Sequence, residues 1–263
     1  MLMQRAKTGV VGLLALLSVL YLMPHEITRM VFVIIFIIAG WEWANFIIQD
    51  SLSSKVIFLL SLFSMMLCIH FLSLDITDIQ IIFSFSITCW IFFLLSLFFY
   101  PIQIANSIGW LAGFIILLLG YFSIDWIFVN WGRHFFLSFL CLIWVMDIGA
   151  YFAGKNFGQL KLAKHISPNK TWEGVIGGLF LVTIFSILLS KIYDLDSFIL
   201  VPFAIALGLL SVVGDLTISM FKRNVGIKDS GNLFPGHGGI LDRLDSIVSS
   251  APLFALGVNL FLN

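Results

Sequence analysis

The stretch from Ile81 to Tyr100 reads IIFSFSITCWIFFLLSLFFY and contains no charged residue. A helix of about 20 apolar residues is long enough to cross the roughly 30 Å hydrocarbon core of a bilayer. The apolar residues do not alternate with polar ones, as they would in a strand of a membrane β-barrel. The stretch therefore predicts a membrane-spanning α-helix.

The composition of the whole chain agrees with this prediction. Of its 263 residues, 60% are hydrophobic and 11% are charged, and the formal net charge is zero. Soluble domains carry roughly 25% charged residues. The composition excludes a soluble enzyme, a disordered chain and a nucleic-acid binder that relies on net positive charge. We predict an all-α integral membrane protein.

About nine stretches are long and apolar enough to be transmembrane helices. They are Thr8–Met23, Met30–Ile48, Val56–Leu72, Ile79–Tyr100, Ile108–Phe122, Phe135–Phe152, Gly174–Ile192, Phe198–Leu216 and Ile247–Leu262. An odd number of spans predicts that the two ends of the chain lie on opposite sides of the membrane.

The distribution of basic residues predicts the orientation. With nine spans, the N-terminus and the connections after spans two, four, six and eight share one side, which carries eleven of the fourteen Lys and Arg residues. Basic residues accumulate on the cytoplasmic side. The N-terminus and two long polar loops, residues 153–173 and 217–246, are therefore predicted to face the cytoplasm. In a bacterium the membrane would be the inner one.

The polar residues divide the chain unevenly. Residues 1–134 have the character of a transmembrane scaffold, and residues 135–263 form a catalytic transmembrane region that carries both loops; we expect the two to form one compact unit. Glu42, between two Trp residues, is an exception in the scaffold, because a carboxylate inside a span is costly unless it is paired or hydrated. Its pattern allows a functional role or a position near the membrane interface.

The first loop presents residues suited to an anion. Asp147 lies near the cytoplasmic end of span six, and Ser167, Lys170 and Thr171 precede span seven. Hydroxyl and backbone N–H groups at a helix N-terminus suit an anion, and a lysine adds a point charge. The same pattern is also explained by Ser167 or Thr171 capping the helix.

The second loop combines carboxylates, cations and glycines. One helix leaves the membrane with Asp215, Ser219, Lys222 and Arg223 on one face, and another re-enters it with Asp242 and Asp245 on one face. Between them lies a glycine-rich turn, and the remaining candidate residues here are Lys228, Asp229, His237, Gly238, Gly239 and Arg243.

This pattern predicts a polyphosphate held through Mg²⁺. Magnesium takes oxygen ligands, usually one or two carboxylates together with substrate phosphates, and Lys and Arg neutralise the remaining phosphate oxygens. Asp215 and Asp242 are the first candidates for the metal, with Asp147 and Asp245 as further candidates, and one or two cations fit the pattern. His237 has no nearby His or Cys for zinc, and no phosphate-binding P-loop or dinucleotide motif is present.

The second loop also resembles the signature of a known family. The residues from Ser219 to Asp245, with Lys222-Arg223, Lys228-Asp229, His237-Gly238-Gly239 and Asp242-Arg243 at their spacings, are similar to those of phosphatidate cytidylyltransferases, also called CDP-diacylglycerol synthases. The segment Ser167-Pro168-x-Lys170-Thr171-Trp172-Glu173-Gly174 resembles a second block of that family, with Asn169 where Lys is common.

The resemblance implies the reaction of CTP with phosphatidate, a lipid of the bilayer, to give CDP-diacylglycerol and pyrophosphate, dependent on Mg²⁺ and used in phospholipid synthesis. Under this interpretation Asp215, Asp242, Lys222, Arg223 and His237 are catalytic candidates. The candidates for binding substrate are Ser167, Lys170, Thr171, Ser219, Lys228, Asp229, Gly238, Gly239, Arg243 and Asp245. Other partners are membrane lipids and a second copy of the chain as a homodimer, and no nucleic acid is expected.

Two alternatives remain open from the sequence. The same loop would serve a CTP-dependent transferase that acts on a prenyl-ether or polyprenyl lipid, because the loop handles the nucleotide and not the lipid tails. A transporter of Mg²⁺ or organic phosphate would instead need polar residues near the middle of several spans. Here the charges gather at one membrane face, which favours an enzyme.

Overall fold

The computed structural model describes residues 2–48, 51–72, 74–101, 103–231, 233 and 238–262. Its elements, in chain order, are α1 (Leu2–Leu22), α2 (His25–Ile47), α3 (Leu52–Phe71), α4 (Ile76–Leu97), α5 (Asn106–Phe157), β1 (Lys161–Ala163), β2 (Ser167–Thr171), α6 (Trp172–Ile192), α7 (Ser197–Asn224) and α8 (Leu241–Leu262). The all-α prediction is confirmed, apart from one small antiparallel hairpin formed by β1 and β2.

Seven of the described helices, α2 to α8, are long and apolar enough to cross a membrane, and α1 contributes a shorter apolar segment, Gly9–Leu22. The protein is therefore a multi-pass integral membrane protein. The predicted number of nine is larger by two, because α5 contains two of the predicted spans and the apolar segment of α1 is too short to be counted. Its 52 residues are interrupted at Gly132, whose φ of 76° and ψ of −179° are not helical.

Both polar loops are shorter than predicted. Helix α5 continues to Phe157 and α7 continues to Asn224, so each helix extends past the end of its apolar run. The early starts of α6 and α8 shorten the connections further, to residues 158–171, which contain the hairpin, and 225–240. The physical reason is that a polar helix end remains helical where it has protein to pack against, whereas hydropathy reports only the apolar part.

The bundle is organised around α5, which packs most extensively against α6 and α8. Helix α2 joins this core through Trp43, which is fully buried and donates from Nε1 to the carbonyl of Gly109 at 3.0 Å. Helices α3 and α4 lie at the periphery, with only 17% and 22% of their most apolar windows buried inside the protein. Their exposed Phe, Leu and Ile side chains are suited to contact with lipid.

The two ends of the bundle differ in their polar groups. One end holds the Gly132 turn and the turn between α6 and α7, which are joined by a hydrogen bond of 2.7 Å between Ser138 Oγ and Tyr193 Oη. Near it, Arg29 makes two hydrogen bonds to the carboxylate of Asp125. The opposite end holds the hairpin, the connection between α7 and α8, and most of the predicted site residues.

Candidate active site

The candidate site lies where α5, α6, α7 and α8 end together. Helix α6 begins directly after β2, and its N-cap is Thr171, whose buried hydroxyl accepts a 3.1 Å hydrogen bond from the N–H of Gly174. This cap fixes the direction in which Lys170, one residue earlier, leaves the hairpin. Of the two candidate caps, Thr171 therefore has this role, and Ser167 opens strand β2.

Lys170 reaches across to Asp215, two to three turns before the end of α7. Its Nζ lies 2.5 Å from Oδ2 of Asp215, and about a quarter of each side chain is exposed. The other carboxylate oxygen of Asp215 accepts a 3.2 Å hydrogen bond from Ser219, one turn further along α7. Lys170 from the first predicted polar loop and Ser219 from the second therefore both contact Asp215.

A second lysine–aspartate pair lies deeper. Lys222 Nζ is 2.5 Å from Oδ1 of Asp242, and both side chains are at most 10% exposed. Oδ2 of Asp242 accepts two backbone N–H hydrogen bonds of 2.9 Å, from Ser230 and Gly239. Asp242 therefore joins α7, the connection that follows α7 and the start of α8.

The remaining acids extend the negative charge from Asp215. The carboxylates of Asp147, Asp215 and Asp245 interact electrostatically with one another, and each is also attracted to Lys170. Within the described part of the chain, no three His, Cys, Asp or Glu side chains form a cluster able to hold a metal ion by themselves. The oxygen donors are thus gathered around lysine ammonium groups, and any metal here would need ligands from a substrate as well.

The guanidinium of Arg223 is hydrogen-bonded to two backbone carbonyls, so it is not simply open to a phosphate. Its Nε donates to the carbonyl of Ile166 at 3.1 Å, and its Nη1 donates to the carbonyl of Ile227 at 2.9 Å. The guanidinium thereby ties the hairpin to the connection between α7 and α8. A phosphate-binding role for Arg223 remains a prediction, and it would have to use guanidinium N–H groups other than the two that bind these carbonyls.

The other predicted residues surround these pairs. Lys228, Asp229 and Arg243 are exposed near the site, and Gly239 is buried. Gly238 has a φ of 81°, and a Cβ there would collide with the carboxylate of Asp242. His237 and the residues from 234 to 236 lie outside the described residues. A cavity of about 310 Å³ borders the connection, lined by Asn45, Phe46, Val225, Ile227, Asp229, Ser230 and Gly231.

The structure adds one residue to the site that motif comparison missed. Glu42 of α2 is 6% exposed, and its carboxylate accepts hydrogen bonds from Ser230 Oγ and from the N–H groups of Ile240 and Leu241. The carboxylate therefore does not extend to the protein surface, and a position near the membrane interface stays a prediction. The signal available in the sequence was a carboxylate inside an apolar span, and its partners lie nearly 200 residues away.

Comparison with known proteins gives a consistent result. Residues 3–261 match the family model described as Cytidylyltransferase family. Relatives named phosphatidate cytidylyltransferase include one from Haemophilus influenzae, 43% identical over 130 residues (47% of this chain and 45% of the relative), and one from Pseudomonas aeruginosa, 48% identical over 122 residues (45% of each). Another, from Staphylococcus aureus, is 42% identical over 148 residues, 54% of this chain and 57% of the relative. The matched segments thus span about half the length of these relatives.

Proposed function

Since the chain belongs to the cytidylyltransferase family, we propose that it transfers a cytidylyl group from CTP to phosphatidate and so makes CDP-diacylglycerol for phospholipid synthesis. The observation that carries this proposal is the pair of contacts Lys170–Asp215 and Lys222–Asp242 at one end of an apolar bundle. There, a soluble polyanion and a lipid headgroup can meet among fixed positive and negative charges.

The chemistry demands little acid–base catalysis. A phosphate oxygen of phosphatidate attacks the α-phosphorus of CTP, the bond from that phosphorus to the bridging oxygen breaks, and pyrophosphate leaves. The attacking phosphomonoester is already largely ionised at neutral pH, because its second pKa is about 6. No general base is needed. The barrier lies in bringing two polyanions together in line, so positioning and charge neutralisation supply most of the catalysis.

Lys170 and Lys222 are suited to this neutralisation. Each ammonium group is held by an aspartate and can turn toward a phosphate that approaches from the polar end of the bundle. Lys228 and Arg243 are exposed and are proposed to attract the nucleotide, since positive charge at the rim of a site acts mainly on the rate of association. Asp229, Ser219 and Gly239 are proposed to contact the substrates from the walls of the same region.

The donor set fits Mg²⁺. It offers carboxylate oxygens, and magnesium is usually held by one or two carboxylates together with substrate phosphates, so a cluster of three protein ligands is not required. Asp215 is proposed as a ligand, with Lys170 in the position of a counter-cation. Asp245 is favoured over Asp242 as its partner, because Asp245 interacts electrostatically with Asp215 and with the same Lys170, whereas Asp242 is held by Lys222 and two backbone N–H groups. When bound, Mg²⁺ would neutralise charge on the phosphate oxygens.

The proposed topology has nine spans with the N-terminus in the cytoplasm. A continuous helix of 52 residues would be about 78 Å long, far more than the roughly 30 Å core of a bilayer. The Gly132 interruption therefore supports two antiparallel spans within α5, and α1 is the ninth. This topology puts the candidate site on the cytoplasmic side, where CTP is available. A homodimer also remains a proposal.

The test is release of pyrophosphate by the purified protein in micelles with CTP. We expect release only when both phosphatidate and Mg²⁺ are present, together with CDP-diacylglycerol detected by mass spectrometry. Phosphatidate, a prenyl-ether lipid phosphate and a polyprenyl phosphate should be compared at equal surface concentration. A preference for either prenyl acceptor would favour the alternative transferase. No pyrophosphate with any acceptor, together with Mg²⁺ uptake into proteoliposomes, would overturn the proposal in favour of transport.

A further inference from the structure

Glu42 is a buried carboxylate from the N-terminal half that lies against the catalytic connection. Oε1 accepts a 3.0 Å hydrogen bond from the N–H of Ile240, and Oε2 accepts one of 2.9 Å from the N–H of Leu241 and one of 2.8 Å from Ser230 Oγ. Helix α8 begins at Leu241. The side chain therefore satisfies backbone donors at the start of α8 from outside that helix.

The position of Glu42 suits a negative charge. The first N–H groups of a helix carry partial positive charge, and a carboxylate close to them is stabilised by the helix dipole and by charge-assisted hydrogen bonds. Burial of a carboxylate is otherwise costly. The cost is offset only when α8, Ser230 and α2 keep this arrangement, so the charge of Glu42 is tied to one geometry of the connection.

Glu42 and Asp242 accept hydrogen bonds from the same two parts of the connection between α7 and α8, Ser230 and the residues around the start of α8. Ser230 donates its hydroxyl to Glu42 and its backbone N–H to Asp242. On the other side, Gly239 donates to Asp242, and the next two residues donate to Glu42. The two carboxylates thus hold the first and last residues of the segment 230–241 next to each other. Asp242 in turn holds Lys222, so Glu42 lies one contact away from the proposed phosphate-binding lysine.

The glycines at both ends of this segment fit against Glu42. A Cβ on Gly231 would lie 2.6 Å from Oε1 of Glu42, and the three atoms nearest to it would all belong to the Glu42 side chain. A Cβ on Gly239 would collide with Oε2 and with Ser230 Oγ. Neither glycine has a positive φ. Close approach to the carboxylate therefore explains why a larger side chain does not fit there.

We propose that Glu42 is a positioning residue for cytidylyl transfer: its carboxylate holds Ser230 and the start of α8 in the geometry that keeps Asp242 paired with Lys222 and so orients the Lys222 ammonium toward the reacting phosphates. The inference rests on the proposed function. It links α2, which carries none of the recognised signature, to the chemistry at the start of α8.

The first experiment compares Glu42→Gln with Asp125→Asn. Glutamine keeps the shape but places an amide N–H₂ against at least one backbone donor, so we expect kcat per folded molecule to fall at least about tenfold. Asp125 is also a buried carboxylate in the bundle, but it pairs with Arg29, about 20 Å along α2 from Glu42. Asp125→Asn should lower the unfolding temperature while leaving kcat of the folded fraction within about twofold of the wild type.

A local readout separates positioning from general loss of stability. Lys228 and Lys164 are both exposed, but only Lys228 belongs to the connection that Glu42 holds. Brief trypsin treatment followed by mass spectrometry gives the ratio of cleavage after Lys228 to cleavage after Lys164. We expect this ratio to rise at least about fivefold in Glu42→Gln and to stay unchanged in Asp125→Asn, because opening would be confined to the connection.

The second experiment tests the contact itself with a double-mutant cycle. Gly231→Ala should lower activity at least about tenfold through its collision with Glu42, and Gly12→Ala, where a Cβ meets nothing within 4 Å, serves as the control. Glu42→Asp withdraws the carboxylate by one methylene. The double variant Glu42→Asp with Gly231→Ala should therefore be more active than the product of the two single effects.

The outcomes distinguish the inference from the proposed function. If the wild type makes no CDP-diacylglycerol, the proposed function fails. If the wild type is active and Glu42→Gln retains its kcat and its cleavage ratio, the positioning role fails. A strictly additive cycle would equally overturn it.

Discussion

Asp215 and Asp242 each hold a lysine, but the two pairs differ in their access to water. Lys170 and Asp215 are each 27% exposed, whereas Lys222 and Asp242 are 8% and 10% exposed. Exposed ion pairs contribute little to stability, whereas removal of one partner of a buried pair leaves a charge that is costly. The same substitution at the two positions should therefore affect activity and stability in different proportions.

Asp215→Asn should abolish turnover and leave the fold intact. The variant keeps its size and its hydrogen bond with Ser219 but loses a proposed metal ligand, so we expect kcat/KM to fall at least about 100-fold. The unfolding free energy should change by about 1 kcal/mol or less, because the ion pair is partly exposed. Pyrophosphate release and thermal unfolding in detergent measure the two effects. Activity near that of the wild type would contradict the proposed metal site.

Asp242→Asn should lower both activity and stability. It leaves the buried ammonium of Lys222 without its carboxylate, at a cost of about 3 kcal/mol. Adding Lys222→Met removes that charge, so the double variant should recover most of the unfolding temperature and none of the activity. If the double variant is as unstable as the single one, burial of the lysine charge is not the cause.

The hairpin and the helix that follows it act as a unit that presents Lys170. Thr171 ends β2 and caps α6 at the same time, and Arg223 ties the preceding turn to the connection after α7. The hydroxyl of Thr171 is buried and already accepts a hydrogen bond, which argues against the predicted contact of that hydroxyl with substrate. Its proposed contribution to the site is therefore the placement of its neighbour.

Thr171→Ala should destabilise the protein without raising the KM for CTP. Loss of a threonine N-cap costs about 1 kcal/mol, whereas Thr171→Ser keeps the hydroxyl and should preserve stability. Thermal unfolding of both variants, beside CTP saturation curves, checks this expectation. A raised KM in the alanine variant with an unchanged unfolding temperature would instead support direct binding by the hydroxyl.

The sequence predicted those features of the whole molecule that depend on local pattern. Apolar runs correctly indicated a helical membrane protein, and spacing indicated that Asp215 and Ser219 share a helix face. Hydropathy separated the two spans that α5 contains, but it did not give the exact place of the break at Gly132, the helix ends or the short strands, because these depend on packing and on one backbone conformation. The contact of Glu42 with Ile240 is a tertiary contact between distant residues, which no local pattern encodes.

The orientation of the bundle in the membrane, that is, which end faces the cytoplasm, is still an expectation. The turns at Gly132 and between α6 and α7 share one end, and the hairpin lies at the other, where Arg223 ties it to the connection after α7. Lysine and arginine counts predict that the second end faces the cytoplasm. The two ends should therefore differ in their access to a reagent that does not cross the membrane.

Cysteine labelling in intact bacterial spheroplasts tests this assignment at two exposed positions. After replacement of Cys68, Cys89 and Cys141, Asp194→Cys in the turn between α6 and α7 should react with a membrane-impermeant maleimide. Lys164→Cys in the hairpin should react only after permeabilisation, because it would lie beside the cytoplasmic site. Both variants must keep CTP-dependent activity for the result to count. Labelling of both positions from outside would refute a membrane crossing by α6, the one helix between them. The reverse pattern would put the candidate site on the side of the membrane away from CTP.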